Sequence, residues 1–146
     1  MPPTPLDILL QSASATRDGE ARLLAEALGN ARAAEDRLKL LDEFRHDYEM
    51  KFRERGALGF DGETWRNYRL FAAQLDAAIE AQRAELSARR VAAEARRGTL
   101  ATAGRRLLSY ETLRERRADE ARTAQDRLEQ KASVEGSMRR PMAFGR

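Results

Sequence analysis

Cysteine is absent from this 146-residue chain, which excludes a disulfide framework, a thiolate metal site and a cysteine nucleophile. Proline stands only at positions 2, 3, 5 and 141, so nothing between Pro5 and Pro141 forbids helix. Aromatic residues make up just 6% of the chain, too few for an ordinary globular core to offset chain entropy. No apolar run reaches the roughly 18 residues that a membrane span requires. The single histidine, His46, lies between Arg45 and Asp47 and lacks a second ligand at metal-binding or catalytic spacing. Gly56, Gly59 and Gly62 imitate a glycine-rich phosphate loop, yet no strand precedes them and no Gly-Lys-Ser/Thr follows. An enzyme, a cofactor site and a metal site are therefore all unexpected. Met1-Pro2-Pro3-Thr4-Pro5 is not a basic region leading into an apolar core, so no secretory signal is expected and the reading is cytoplasmic.

What the chain does contain is charge, at 35%, together with abundant Ala, Leu, Glu, Arg and Gln, the strong helix formers. The net charge of +3 is uneven. Nine arginines lie between Arg89 and Arg117 against Glu94, Glu111 and Glu115. The one clear break is Gly56-Ala57-Leu58-Gly59-Phe60-Asp61-Gly62, a turn whose Asp61 suits the N-cap of a following helix.

One heptad register runs on each side of that turn. Upstream the seam reads Leu6, Leu10, Ala13, Arg17, Glu20, Leu24, Ala27, Ala31, Ala34, Leu38, Leu41, Arg45, Tyr48, Phe52. Downstream it reads Tyr68, Ala72, Leu75, Ile79, Gln82, Leu86, Arg89, Ala93, Arg96, Leu100, Ala103, Leu107, Tyr110, Arg114, Arg117, Ala121, Ala124, Leu128. Alternating threes and fours sustained this long signal a coiled coil. The fold expected is all-α: a two-helix antiparallel coiled-coil hairpin with a longer second helix. It forms a single domain over 1–146, with helix 1 at about 6–54, a turn at 55–62, helix 2 at about 63–132 and a disordered basic tail over 134–146. Phe52 is expected beside Trp65 and Leu6 beside Glu111, beyond which the second helix projects alone.

The two flanks of such a hairpin differ. On one, Glu49 falls opposite Arg69 and Glu35 opposite Arg83, pairs that would help to fix the register. The other flank, near the turn, gathers Phe44, Phe71 and Ala78 beside the seam residues Leu41, Tyr48 and Leu75, with Arg37 and Gln82 at its edge. Two phenylalanines on one side of a two-helix structure leave ring area in water even when they touch, and a clustered apolar patch of that kind marks a partner.

The run Leu38-Lys39-Leu40-Leu41-Asp42-Glu43-Phe44-Arg45-His46-Asp47-Tyr48, the Gly-rich turn, and then Trp65-Arg66-Asn67-Tyr68-Arg69-Leu70-Phe71, continuing through Leu75, Ala78, Ile79 and Gln82, resembles the flagellar export protein FliJ family. The Trp-x-Asn-Tyr-x-x-Phe segment carries most of the resemblance, which covers about residues 20–90 closely and the rest by architecture. Gly98 and Gly104 depart from the family's uninterrupted second helix. The resemblance implies a non-enzymatic antiparallel coiled coil similar to the central stalk of rotary ATPases. It would insert into the ring of the FliI-like export ATPase, promote its assembly, contact the cytoplasmic part of the FlhA-like export gate, and handle export chaperones that have lost their cargo. It would be cytoplasmic and peripherally associated with the inner membrane at the flagellar export apparatus, meeting the membrane only indirectly.

Joined to the residue pattern, this gives two expected sites. The gate patch is Arg37, Leu41, Phe44, Tyr48, Phe71, Leu75, Ala78 and Gln82. The ATPase-binding overhang carries Arg105, Arg106, Arg114, Arg116 and Arg117. The alternatives are a basic coiled coil that binds nucleic acid and a purely structural dimer. Against the first, no aromatic platform or known binding motif accompanies the arginines, so no nucleic-acid partner is expected. Against the second, the Gly-rich turn favours pairing within one chain.

Overall fold

A computed structural model describes residues 2–139. It contains two helices, α1 (Pro5–Gly56) and the longer α2 (Gly62–Arg139), and among the described residues no strand. The expected all-α class and the longer second helix are both observed. The expected bounds move: α2 continues to Arg139 rather than stopping near 132, so the first part of the expected tail is helical. Ser133, Glu135 and Ser137 are no barrier to helix, and the next proline is Pro141. Residues 140–146 lie outside the described residues.

Both helix starts are capped by side chains. Thr4 Oγ1 accepts from the Asp7 amide at 3.2 Å while the Thr4 amide donates to Asp7 Oδ2 at 3.0 Å, a reciprocal capping box with Pro5 at the first helical position. Asp61 Oδ1 accepts from the Thr64 amide at 2.9 Å, the N-cap expected of it. These hydrogen bonds, Thr4's for Asp7 and Thr64's for Asp61, hold both carboxyls below their ordinary range. A depressed folded-state pKa gives stability that is present above the unfolded value and lost as pH falls through the folded one. Thermal unfolding followed by circular dichroism should therefore show a flat Tm near neutrality and a fall below about pH 4. The fall should be smaller in Asp61→Ala.

The turn is tightly specified. Gly59 has φ +81°, the left-handed region that other residues resist. A Cβ at Gly56 would stand 2.7 Å from Phe60 Cε1, so the Phe60 ring needs a glycine there. The amides of Ala57, Leu58 and Gly59 donate to the carbonyls of Arg53, Arg55 and Gly56, which closes the end of α1.

The chain divides into two compact units, one formed by the residues up to Ala15 with those from Gly104 onward, the other by Thr16–Ala103. In the Thr16–Ala103 unit the two helices run antiparallel. Ring contacts join Phe52 to Tyr68 and Tyr48 to Phe71, and Gln82 Nε2 donates to the Ala34 carbonyl at 3.1 Å. Its buried residues are Ala34, Ala72, Leu75, Ile79, Leu86, Ala93 and Ala103, all of them seam positions of the expected register. Seam alanines let the backbones approach closely, but each buries little area, so the seam is narrow.

In the other unit Leu6, Leu10, Ala13 and Leu107 form one buried cluster with Tyr110 against it. From Leu113 to Met138 every side chain of α2 is exposed.

Gly98 sits inside α2, and a methyl group added there would meet nothing within 4 Å. Gly98→Ala should therefore stabilise the fold by about 1 kcal/mol through helix propensity and reduced unfolded-state freedom. Denaturant unfolding would show a raised midpoint at unchanged slope.

Candidate protein-docking site

The aromatic residues that the sequence scatters around the turn converge in the Thr16–Ala103 unit. Tyr48 meets Phe71 edge-on at 4.7 Å between centroids and stacks on Tyr68 at 5.4 Å. Phe44 meets Phe71 edge-on at 6.4 Å. Such pairs contribute about 0.5–1.5 kcal/mol each beyond area burial, enough to set ring positions. They do not hide the rings: Phe44 remains 52% exposed and Phe71 37%.

The residues assigned from sequence to this patch separate into presenting and supporting groups. Phe44, Phe71, Ala78 and Arg37 are exposed, while Leu41 and Tyr48 are half-buried. Leu75 is buried and backs the patch from beneath. Gln82 belongs to the seam rather than the surface: its amide is spent on the Ala34 carbonyl. The part-buried backbone carbonyl outcompetes solvent for that donor.

On the opposite flank the expected pairs Glu49–Arg69 and Glu35–Arg83 are not formed. Glu49 is held by Arg45 and Arg53 of its own helix, at 3.9 and 2.7 Å. Arg83 pairs with Glu80. Partners three or four residues apart on one helix are already adjacent, so they meet at less entropic cost than side chains reaching across a seam. The cross-seam pairs that do form are Arg45–Asp76 at 2.9 Å, Glu35–Arg90 at 3.9 Å and Glu20–Arg96 at 4.0 Å. Thr99 Oγ1 donates a 2.8 Å bond to Glu20. Arg45, a charged residue at a seam position, keeps its place through the Asp76 bond. That bond is the chief cause that lifts its pKa still further above the ordinary arginine range.

In the other unit the arginines assigned to the overhang lie on α2. Arg106, Arg116 and Arg117 are exposed and form no ion pair among the described residues. Arg105 is exposed as well. Arg114 is exposed and its charge helps to lower the pKa of Asp7. Among the described residues no helix is long and apolar enough to cross a membrane, and no group of His and carboxylates is arranged to hold a metal ion.

Two narrow helices with bare aromatic rings in one unit and, in the other, an arginine-bearing helix that buries no side chain from Leu113 to Met138 describe a protein that works by contact. Comparison with known proteins gives the same picture a family: the model described as Flagellar FliJ protein matches residues 2–144. The chain belongs to the FliJ family. The Flagellar FliJ protein of Escherichia coli (strain K12) is 30% identical over 122 residues, covering 84% of this chain and 83% of that protein. The Flagellar FliJ protein of Salmonella typhi is 28% identical over 137 residues, covering 94% and 93%. As a FliJ family member the chain is a non-enzymatic component of the flagellar export apparatus.

Residues at the turn itself escaped the sequence reading. Phe60 stacks on Trp65 with rings 6° from parallel and lies 4.5 Å from Phe52. The heptad pattern stops at Gly56 and so assigns Phe60 no role. The available signal was composition, since Phe52, Phe60, Trp65 and Tyr68 are four aromatics around one short turn in an aromatic-poor chain.

Proposed function

We propose that this chain acts as a central-stalk-like coiled coil of the flagellar export apparatus. It binds the export ATPase ring through the cationic α2 segment, contacts the export gate through the Phe44–Phe71 flank, and handles unloaded export chaperones. The observation that carries the reading is the bare helix from Leu113 to Met138, which has no buried side chain. A free helix of that length is stabilised little by propensity alone and gains most from a partner. The exposed Arg116 and Arg117 on that helix, together with Arg105, Arg106 and Arg114, supply positive charge suited to acidic loops of a ring. The Phe44 and Phe71 rings supply aromatic anchors of the sort that dominate protein interfaces. The chain would reside in the cytoplasm, held at the inner membrane only through the export apparatus.

The test is a binding competition with purified components. The ATPase and the cytoplasmic domain of the gate should each bind, and each should still bind when the other is saturating. Mutual exclusion would show that one surface serves both and would overturn the two-surface assignment.

A further inference from the structure

The turn encloses an open cavity of about 740 Å³ that shares only Tyr48 with the two proposed surfaces. Phe52, Phe60 and Tyr68 form its aromatic side, and Leu58 forms its lip. Trp65 packs behind, 5.6 Å from Phe52 and 6.0 Å from Tyr68. Leu58 is 92% exposed, an unusual place for a leucine in so tightly specified a turn. Gly59 takes its left-handed conformation there, and Gly56 makes room for the Phe60 ring. The tip is thus built to hold an apolar surface open to water.

The charges around the cavity indicate what covers it. Lys51 and Arg55 line it one helical turn apart and form no ion pair among the described residues. Of the acids nearby, Glu49 is already bound by Arg45 and Arg53, and Asp61, which keeps its charge while it accepts from the Thr64 amide, lies outside the lining. Glu54 is the one carboxylate in the lining, so the cations of the cavity outnumber its anions. A pocket with an aromatic side and two cations against one carboxylate in its lining fits an apolar side chain flanked by carboxylates.

We infer that the turn is a docking site for an acidic peptide segment of a partner protein, which seats a large apolar side chain among Phe52, Phe60 and Tyr68 and sets its carboxylates against Lys51 and Arg55. The site does not use the Phe44 and Phe71 rings and does not depend on the partner assigned to them. A second copy of this chain is the competing occupant, and the test distinguishes it.

Trp65 is the only tryptophan, so its fluorescence reports on this site in the full chain. The probe is the capped hexapeptide Asp-Glu-Leu-Leu-Asp-Glu, with one control carrying alanine for leucine and another carrying lysine for the acids. The acidic leucine peptide should give a saturable change in emission, and both controls should bind at least tenfold more weakly. Lys51→Glu with Arg55→Glu should weaken the probe at least tenfold at unchanged helicity, since both side chains are exposed. No response to the acidic leucine peptide, or an equal response to the lysine control, would overturn the inference. So would an emission change that follows protein concentration without peptide, which would assign the cavity to a second copy.

Discussion

Replacing Phe44 and Phe71 together by alanine should lower affinity for the cytoplasmic domain of the export gate at least a hundredfold, with helix content unchanged. Half of the Phe44 surface and over a third of that of Phe71 are available to a partner. Aromatic anchors that become fully buried at an interface typically contribute about 2 kcal/mol or more each when truncated, so two of them exceed a hundredfold together. The cost to the fold is smaller. The rings touch each other and Phe71 also touches Tyr48, contacts of about 1 kcal/mol each. The seam beneath them, Ala72, Leu75 and Ile79, stays buried in its own register. Calorimetric titration beside circular dichroism separates the two effects. Lost helicity would return both residues to a structural role, and retained gate binding would remove the flank from the interface.

Reversing Arg114, Arg116 and Arg117 to glutamate should weaken binding to the export ATPase ten- to a hundredfold at low salt. The loss should shrink as salt rises, because exposed charges are screened over about 8 Å at physiological ionic strength. None of the three is buried, so the fold should survive. One local consequence follows from the geometry of that unit. Arg114 helps to hold the Asp7 carboxyl ionised, so the reversal should raise the pKa of Asp7. The Thr4 cap, the larger cause, remains in place. Titration against the ATPase at several salt concentrations, with gate binding as a control, measures the effect. A salt-independent loss would indicate altered packing instead of charge recognition.

The sequence was most informative where one periodicity governs many residues. Every buried apolar residue among those described falls on the heptad register read upstream or downstream of the turn, because a seam between two helices admits only positions spaced by threes and fours. The Asp61 cap was equally legible, since the free amides that open a helix demand an acceptor at that point. Individual ion pairs were not. Glu49 has cationic neighbours along its own helix as well as across the seam, and a linear register cannot weigh the entropy that favours Arg53 over Arg69. The candidate site was half legible for a similar reason. The flank position of Phe44 and Phe71 and the seam position of Gln82 follow from the register, whereas the bond of the Gln82 amide to the Ala34 carbonyl depends on how deep its side chain lies. Phe60 shows a third limit, because its place above Gly56 is decided by turn geometry that no helical period describes.

On the proposed function these paired helices act on the export ATPase through its assembly and perform no chemistry themselves. The decisive measurement adds the purified chain to the export ATPase of the same cell and follows ATP hydrolysis together with sedimentation. Both the hydrolysis rate and the population of rings should rise with added protein and reach a plateau. Unchanged hydrolysis and sedimentation at saturating protein would contradict the proposed function.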